Sequence, residues 1–143
     1  KTIDENQLNK KVSLLGWAFK KDTNDSRESA SIYIAAELLS KGIEINVYDP
    51  KVELKQIRKD LKYIKISDEK LSLINYSENH YEVFEDSNVI AILTEWDEFI
   101  NYDWKSIYNK GFEQKYIFDG RNILDSKKLR KIGFIVDSIG KRV

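Results

Sequence analysis

The feature that most constrains this chain is a strand, loop, helix and strand in its first third. Residues 12–15 form a short apolar run that ends at Gly16, and a charged loop follows. Residues 32–39 then carry apolar side chains at the i, i+3, i+4 and i+7 positions of a helix face. Gly42 lies where a glycine commonly ends a helix, and residues 43–48 alternate as a second strand. Such a unit is a right-handed βαβ crossover, which requires a parallel sheet.

The rest of the chain continues this alternation of strands and helices. The run VIAIL is apolar throughout, which is typical of a strand buried on both faces, and we place it at the centre of the sheet. The last predicted strand is only partly alternating and is expected at the sheet edge. The strands predicted after the βαβ unit are therefore residues 71–76, 89–93 (the VIAIL run), 116–119 and 134–139. Helical segments are predicted at residues 52–61, 81–86, 103–108 and 127–132. We therefore predict an α/β fold: a Rossmann-like, doubly wound, mainly parallel sheet with helices on both faces, in three layers.

Charge and cysteine content exclude several classes of function. The 24 basic and 24 acidic side chains give a net charge of zero, so no overall attraction to nucleic acid or to an anionic membrane is expected. No run of 18 apolar residues is present, so no membrane-spanning segment is predicted. The absence of cysteine excludes disulfides, a thiolate nucleophile and thiolate metal sites. We expect a cytoplasmic location and no metal site.

The start of the chain is interpreted as a junction. Methionine is absent and the first residue is Lys1, so we expect this to be a piece of a longer polypeptide. Residues 1–10 are interpreted as the end of a linker or helix from an upstream domain, and residues 11–143 as one domain.

The loop after the first strand predicts an anion site. Ligands of open parallel sheets bind outside the carboxyl ends of the strands, and Lys20, Lys21 and Arg27 would place positive charge there. The alternative is that these three side chains are solvated surface cations that bind no ligand. Only Gly16 of a G-x-G-x-x-G fingerprint is present, so an ordinary NAD cradle is not expected, and side-chain cations would bind a diphosphate instead.

Two acidic positions near this loop have alternative interpretations. Asp25 and Glu28 stand in the i, i+3 relation of a capping box and are predicted to cap the first helix. Asp49 follows the second strand, where an acidic residue can bind a ribose hydroxyl, but Asp before Pro50 also suits a plain turn.

The later loops are expected to face the same crevice. Glu95 and Trp96 follow the strand at residues 89–93, and Arg121 follows the strand at residues 116–119. The Arg121 guanidinium is a planar fork suited to phosphate or carboxylate, and Gly120 lets the backbone turn to present it. A surface arginine paired with a nearby acid is the alternative.

Several motifs resemble a known family. They are GWAFKKDT at residues 16–23, DSRES at 25–29, YDPKV at 48–52, TEW at 94–96, FDGR at 118–121 and IGK at 139–141. In this order, over nearly the whole chain, they resemble the C-terminal nucleotide-sugar-binding domain of the UDP-glucose/GDP-mannose dehydrogenase family, and most of all its UDP-glucose members.

The resemblance implies a reaction and its division between domains. These enzymes oxidise the C6 alcohol of a nucleotide sugar to a carboxylate with two NAD. The NAD-binding sheet and the catalytic cysteine would lie in an N-terminal part that is absent here. This chain is then expected to hold no catalytic residue and to be inactive alone. The parent enzyme is expected to be a homo-oligomer.

The resemblance also assigns site residues. Phe19 and Lys20 resemble residues that contact the UDP-sugar, and Arg121 resembles the arginine that holds it from the far side of the crevice. Arg27 resembles an arginine that reaches NAD in the other domain, although it could instead pair with a neighbouring acid.

Three alternatives stay open. The chain could come from a dehydrogenase of another UDP- or GDP-sugar. It could be a self-contained oxidoreductase, which the single histidine disfavours, because His80 lies in a polar stretch and is expected to be an ordinary surface residue. It could be a receiver-type signalling module, although the expected acidic residues after the first strand are missing.

Overall fold

The chain folds around one six-stranded sheet. The computed structural model describes residues 11–27, 29–111 and 113–138, and the elements below lie in that part of the chain. Its strands are β1 (Lys11–Leu15), β2 (Ile45–Tyr48), β3 (Ile74–Tyr76), β4 (Ser87–Ile92), β5 (Tyr116–Asp119) and β6 (Ile135–Ser138). Its helices are α1 (Ala30–Ser40), α2 (Leu54–Tyr63), α3 (Asp68–Leu71), α4 (Asp97–Ile100), α5 (Trp104–Tyr108) and α6 (Ser126–Ile132), with a 3₁₀ turn at Glu82–Phe84.

The sheet is doubly wound and entirely parallel. Its strand order is β3-β2-β1-β4-β5-β6, so the direction of winding reverses between β1 and β4. All six residues of β4 are buried, and β6 is an edge strand. The predicted α/β architecture, the central position of β4 and the edge position of the last strand are confirmed. The predicted upstream segment at residues 1–10, and residue 139 of the last strand, lie outside the described residues.

The two faces of the sheet are covered by different elements. Val12 and Leu14 face α1. Ser13 faces the other way and donates from its hydroxyl to the carbonyl of Val83 at 2.5 Å. Tyr48, in register with β1 on that second face, donates to Glu98 of α4. The 3₁₀ turn and α4 therefore lie opposite α1, as right-handed crossovers on the two sides of β1 require.

The first helix begins later than the capping-box prediction placed it. Its N-cap is Ser29, whose hydroxyl accepts from the amide of Ser31 at 3.1 Å. The carboxylate of Asp25 accepts instead from the backbone and side chain of Arg27, so the predicted cap at Asp25 is wrong. The other half of that box, Glu28, lies outside the described residues. At the other end, Gly42 follows the last turn with φ of 79°, as predicted.

Two short helices and the start of β4 also differ from the prediction. Helices α3 and α4 have four residues each, too few to show a periodic pattern, and were not predicted. Strand β4 begins at Ser87, two residues before the apolar run. Both of the extra polar residues are buried, with Ser87 donating to the carbonyl of Val89 and Asn88 to that of Gln114.

No helix among the residues the structure describes is long and apolar enough to cross a membrane.

Candidate functional site

The carboxyl ends of β1, β4 and β5 are neighbours and their loops pack closely. A Cβ on Gly16 would lie 2.5 Å from the Thr94 side chain, and Gly16 has φ of 102°. The hydroxyl of Thr94 donates to the carbonyl of Ala18 at 2.7 Å. A Cβ on Gly120 would lie 2.9 Å from the carbonyl oxygen of Ile92, to which the Gly120 amide donates. The glycines at these turns are thus required by the contact between loops, which builds one continuous edge.

Asp49 holds this edge together from the end of β2. It is 2% exposed, and its Oδ2 accepts from the amides of Trp17 and Ala18 at 2.7 and 2.9 Å. The same oxygen accepts from the indole of Trp96 at 3.1 Å. Its Oδ1 accepts from the amides of Lys51 and Val52, which forms the turn. The turn interpretation of Asp49 is therefore the observed one, and the carboxylate also ties three loops together.

The role of Asp49 decides what the β1 turn can bind. In a dinucleotide cradle, free amides after the first strand approach the pyrophosphate. Here the amides of Trp17 and Ala18 point to a buried carboxylate, and Gly16 packs against Thr94. The β1 turn therefore does not fit the pyrophosphate of NAD.

The loop that follows presents side chains rather than amides. The amide of Phe19 donates to the carbonyl of Asp25 at 2.7 Å, which closes the loop. The Phe19 ring is 48% exposed, and Lys20 is exposed beside it. Lys21 pairs with Asp97 of α4 at 3.3 Å. An apolar ring and an ammonium group are therefore exposed on the loop that follows β1.

Trp17 and Asp60 fix the base of this loop. The Trp17 ring is fully buried, and its indole donates to Asp60 of α2 at 2.9 Å. The hydroxyl of Ser26 donates to the same carboxylate at 2.6 Å. The sequence carried no signal for this role of Asp60, because Trp17 and Ser26 are more than 30 residues away along the chain, and its one local partner is Gln56 of the same helix.

Arg27 lies outside this packing. Its side chain is 87% exposed, and its Nε and Nη2 donate to the two oxygens of Asp25 at 3.1 and 3.0 Å. Hydrogen bonds from Arg27 lower the pKa of Asp25 to about 2. The expected alternative, pairing with a neighbouring acid, is present, and the exposed fork still faces outward.

Arg121 pairs with the acid that follows β4, which is the pairing expected as the alternative to a ligand-binding role. Its Nη2 lies 2.6 Å from Oε1 of Glu95, with side-chain exposures of 33% and 28%. The contact is an ion pair without hydrogen-bond alignment, because Oε1 is buried and accepts no hydrogen bond from any described residue. The Arg121 amide donates to the buried Asp119, which positions the loop.

The strand order places the predicted site residues on one edge. Lys20 follows β1 and Arg121 follows β5, and only β4 separates those strands. At a strand spacing of about 4.8 Å, the two strand ends lie roughly 10 Å apart. Glu95 follows β4 between them. Arg27 lies on the same β1 loop as Lys20, and its side chain is exposed and paired with Asp25. Among the described residues, no group of three histidine, aspartate or glutamate side chains forms a metal site.

Comparison with known proteins identifies a family. Residues 13–126 match the model of the UDP-glucose/GDP-mannose dehydrogenase family, UDP binding domain. The chain is 43% identical over 138 residues to a UDP-glucose 6-dehydrogenase of Bos taurus, and 43% identical over 144 residues to UDP-glucose 6-dehydrogenase 4 of Arabidopsis thaliana. These alignments cover 94% and 93% of this chain but only 28% and 30% of the relatives.

Solved structures show the same similarity. A UDP-glucose dehydrogenase from Pyrobaculum islandicum superposes with a TM-score of 0.63 and 26% identity, covering 90% of this chain and 24% of that chain. A UDP-D-ManNAc dehydrogenase from Pyrococcus horikoshii gives a TM-score of 0.68 at 26% identity, covering 94% and 26%.

Proposed function

The chain belongs to the UDP-glucose/GDP-mannose dehydrogenase family, as its C-terminal UDP-binding domain, and on that premise we propose that the edge formed by β1, β4 and β5 binds the UDP moiety of UDP-glucose. The observation that carries the proposal is that Lys20 and Arg121, with the exposed Phe19 ring, follow strands β1 and β5 at the same edge of the sheet, separated only by β4. Cations on both sides of a crevice suit a diphosphate.

Each side chain has a distinct proposed role. Arg121 has five N–H donors, and Glu95 lies beside one nitrogen, so the remaining donors can bind phosphate oxygens. Lys20 supplies a second positive charge from the β1 loop. The half-exposed ring of Phe19 offers an apolar surface to the ligand beside that charge. The locked turn below them keeps this geometry fixed before the ligand arrives.

We assign the chemistry to the parent polypeptide. This chain spans less than a third of the length of the relatives it matches, and those relatives bear the name UDP-glucose 6-dehydrogenase. The proposed reaction is the oxidation of UDP-glucose to UDP-glucuronate with two NAD, catalysed by a cysteine in an N-terminal domain. This chain would position the nucleotide and would be inactive alone. A cytoplasmic, homo-oligomeric parent enzyme completes the proposal.

The NAD would be bound by the other domain. The β1 turn does not fit a dinucleotide, because Asp49 already accepts from its amides. When bound, NAD supplies the hydride acceptor. From this chain, Arg27 would contact it from the exposed surface, with Asp25 fixing one edge of the guanidinium.

A second candidate substrate is another nucleotide sugar. The structural similarity to the UDP-D-ManNAc dehydrogenase is as high as that to the UDP-glucose dehydrogenase, with TM-scores of 0.68 and 0.63. The two candidates share the UDP moiety and differ only in the sugar.

Calorimetric titration of the chain tests the proposal. We expect UDP and UDP-glucose to bind with similar affinity, because the groups assigned here contact the shared nucleotide, and we expect NAD to bind more weakly than either. Tighter binding of NAD than of UDP would overturn the assignment. Because this chain contacts only the shared nucleotide, the two candidates are separated with the parent enzyme: oxidation of UDP-ManNAc rather than UDP-glucose would favour the second.

A further inference from the structure

A cavity of about 690 Å³ lies on the sheet face opposite α1, between the 3₁₀ turn Glu82–Phe84 and helices α4 and α5. Its volume falls within the range of small-molecule sites, roughly 300–1,000 Å³. The lining shares no residue with the proposed UDP site. The cavity is therefore separate from that site.

Aromatic rings form one wall of this cavity. His80 stacks on Tyr102, with ring centroids 4.5 Å apart and an interplanar angle of 17°. Tyr81 packs against His80 at 3.9 Å, and Phe84 meets Tyr102 edge-on at 6.1 Å. The Tyr81 ring is 67% exposed. The faces of phenol rings carry negative electrostatic potential, so this wall favours positive charge.

A carboxylate lies beside the rings. Oε2 of Glu98 accepts from the phenols of Tyr102 at 2.6 Å and Tyr48 at 3.0 Å. Burial, and the hydrogen bond to Glu98, raise the pKa of both phenols, so both stay protonated donors at neutral pH. No lysine or arginine among the described residues pairs with Glu98, and its Oε1 accepts no hydrogen bond from them.

The other charged side chains of the cavity lining do not cancel the negative charge of Glu98. Asp103 and Lys110 are both exposed and carry opposite charge. Asp103 accepts from the amide and hydroxyl of Ser106 as the N-cap of α5. With Glu98, the lining therefore holds two carboxylates and one lysine, and Glu98 is the less exposed carboxylate and lies next to Tyr102.

We propose that this cavity is a second binding site, for an alkylammonium or guanidinium group, with Glu98 as its counter-charge and the His80, Tyr81 and Tyr102 rings as its wall. The cation bonds to Oε1 of Glu98, while its methylene groups pack on the rings. Such a group is carried by a free organic amine or by a lysine or arginine side chain of a protein partner.

Amide chemical shifts of the ¹⁵N-labelled chain test the site with n-butylammonium as the probe. We expect saturable shifts at Asn101 and Tyr102, with a Kd of about 1–10 mM. Butyrate and n-butanol have the same chain without the positive charge, and we expect neither to produce these shifts. No binding of n-butylammonium up to about 50 mM, or equal binding of n-butanol, overturns the proposal.

Two variants locate the binding groups. Glu98→Gln keeps acceptors for both phenols but removes the charge, and it should weaken binding about tenfold or more. Tyr81→Ala removes an exposed ring and should weaken it about two- to fivefold with little effect on folding. Asp97→Asn, one position away on α4 and paired with Lys21, is the matched control and should not change binding. Equal binding by wild type and Glu98→Gln overturns the proposal.

A peptide arm distinguishes the sources of the cation. Acetyl-Gly-Lys-Gly-amide binding at least as tightly as n-butylammonium assigns the site to a protein side chain. Weaker binding of the peptide assigns it to a free amine. Both outcomes support a cation site and are independent of whether UDP binds.

Discussion

Two carboxylates at the carboxyl edge of the sheet behave in opposite ways. Asp49, after β2, is 2% exposed and accepts five hydrogen bonds, from four backbone amides and one indole. Glu95, after β4, has a side chain 28% exposed and faces Arg121 without an aligned hydrogen bond. A saturated carboxylate locks loops together, whereas a carboxylate beside a partly exposed cation leaves donors free for a ligand.

The largest expected effect tests the structural side of this contrast. Asp49→Ala should lower the free energy of unfolding by about 3–5 kcal/mol, because the buried N–H groups of Trp17, Ala18 and Trp96 lose their acceptor. Urea denaturation measures this. Asp49→Asn, which keeps one acceptor oxygen, should give an intermediate loss. A loss below about 1 kcal/mol for Asp49→Ala would contradict the role assigned to Asp49.

The next effect tests the binding side. Arg121→Ala should weaken UDP binding by about 1.5–3 kcal/mol, since a charged hydrogen bond to the ligand is lost, while changing the free energy of unfolding by less than about 1 kcal/mol, since the pair with Glu95 is partly exposed. Calorimetry and urea denaturation measure the two quantities. Arg58→Ala, an exposed arginine of α2, is the control and should leave both unchanged. A loss of stability comparable to that of Asp49→Ala would mean that Arg121, like Asp49, has a mainly structural role.

A change at Glu95 should have a smaller effect on UDP binding, and it should strengthen binding rather than weaken it. Glu95→Gln keeps an oxygen near Arg121 but removes a negative charge from the site, so UDP should bind about two- to fivefold more tightly. The gain should shrink with added salt, because both side chains are partly exposed. Glu37→Gln on α1 serves as the remote control. Weaker UDP binding by Glu95→Gln would mean that Glu95 mainly positions Arg121.

Asp25 is a third kind of carboxylate, because it is partly exposed and paired with one arginine. A change at this pair is expected to have the smallest effect of the four. Because Arg27 lowers its pKa from 3.8 to about 2, the pairing contributes fully above pH 3.8 and is lost as the pH falls through about 2. An NMR titration of the Asp25 carboxyl should show a midpoint near 2, and Arg27→Gln should return it toward 3.8. An unchanged midpoint in the variant would show that Arg27 is not the cause.

Sequence pattern predicted most of the fold and proposed part of the candidate site. The βαβ unit, the buried run of β4 and the glycine after α1 have periodic or conformational signatures within a few residues, and each was predicted. The N-cap at Ser29 was missed, because Asp25 has Glu28 at the capping-box spacing whereas Ser29 is followed three residues later by Ile32. His80, expected on the surface, is half-buried between two tyrosine rings, one of them more than 20 residues away along the chain.

The sequence by itself determined the parallel sheet, the family and the loop cations, because hydrophobic periodicity and short motifs are local properties of the chain. Only the tertiary structure decided what the acidic residues do. Asp49 and Asp60 have local partners as well, but the contacts of both with Trp17, and that of Glu95 with Arg121, join residues more than 25 positions apart, and burial then determines whether a carboxylate is saturated or left facing a cation. That distinction depends on three-dimensional packing, which no local spacing encodes.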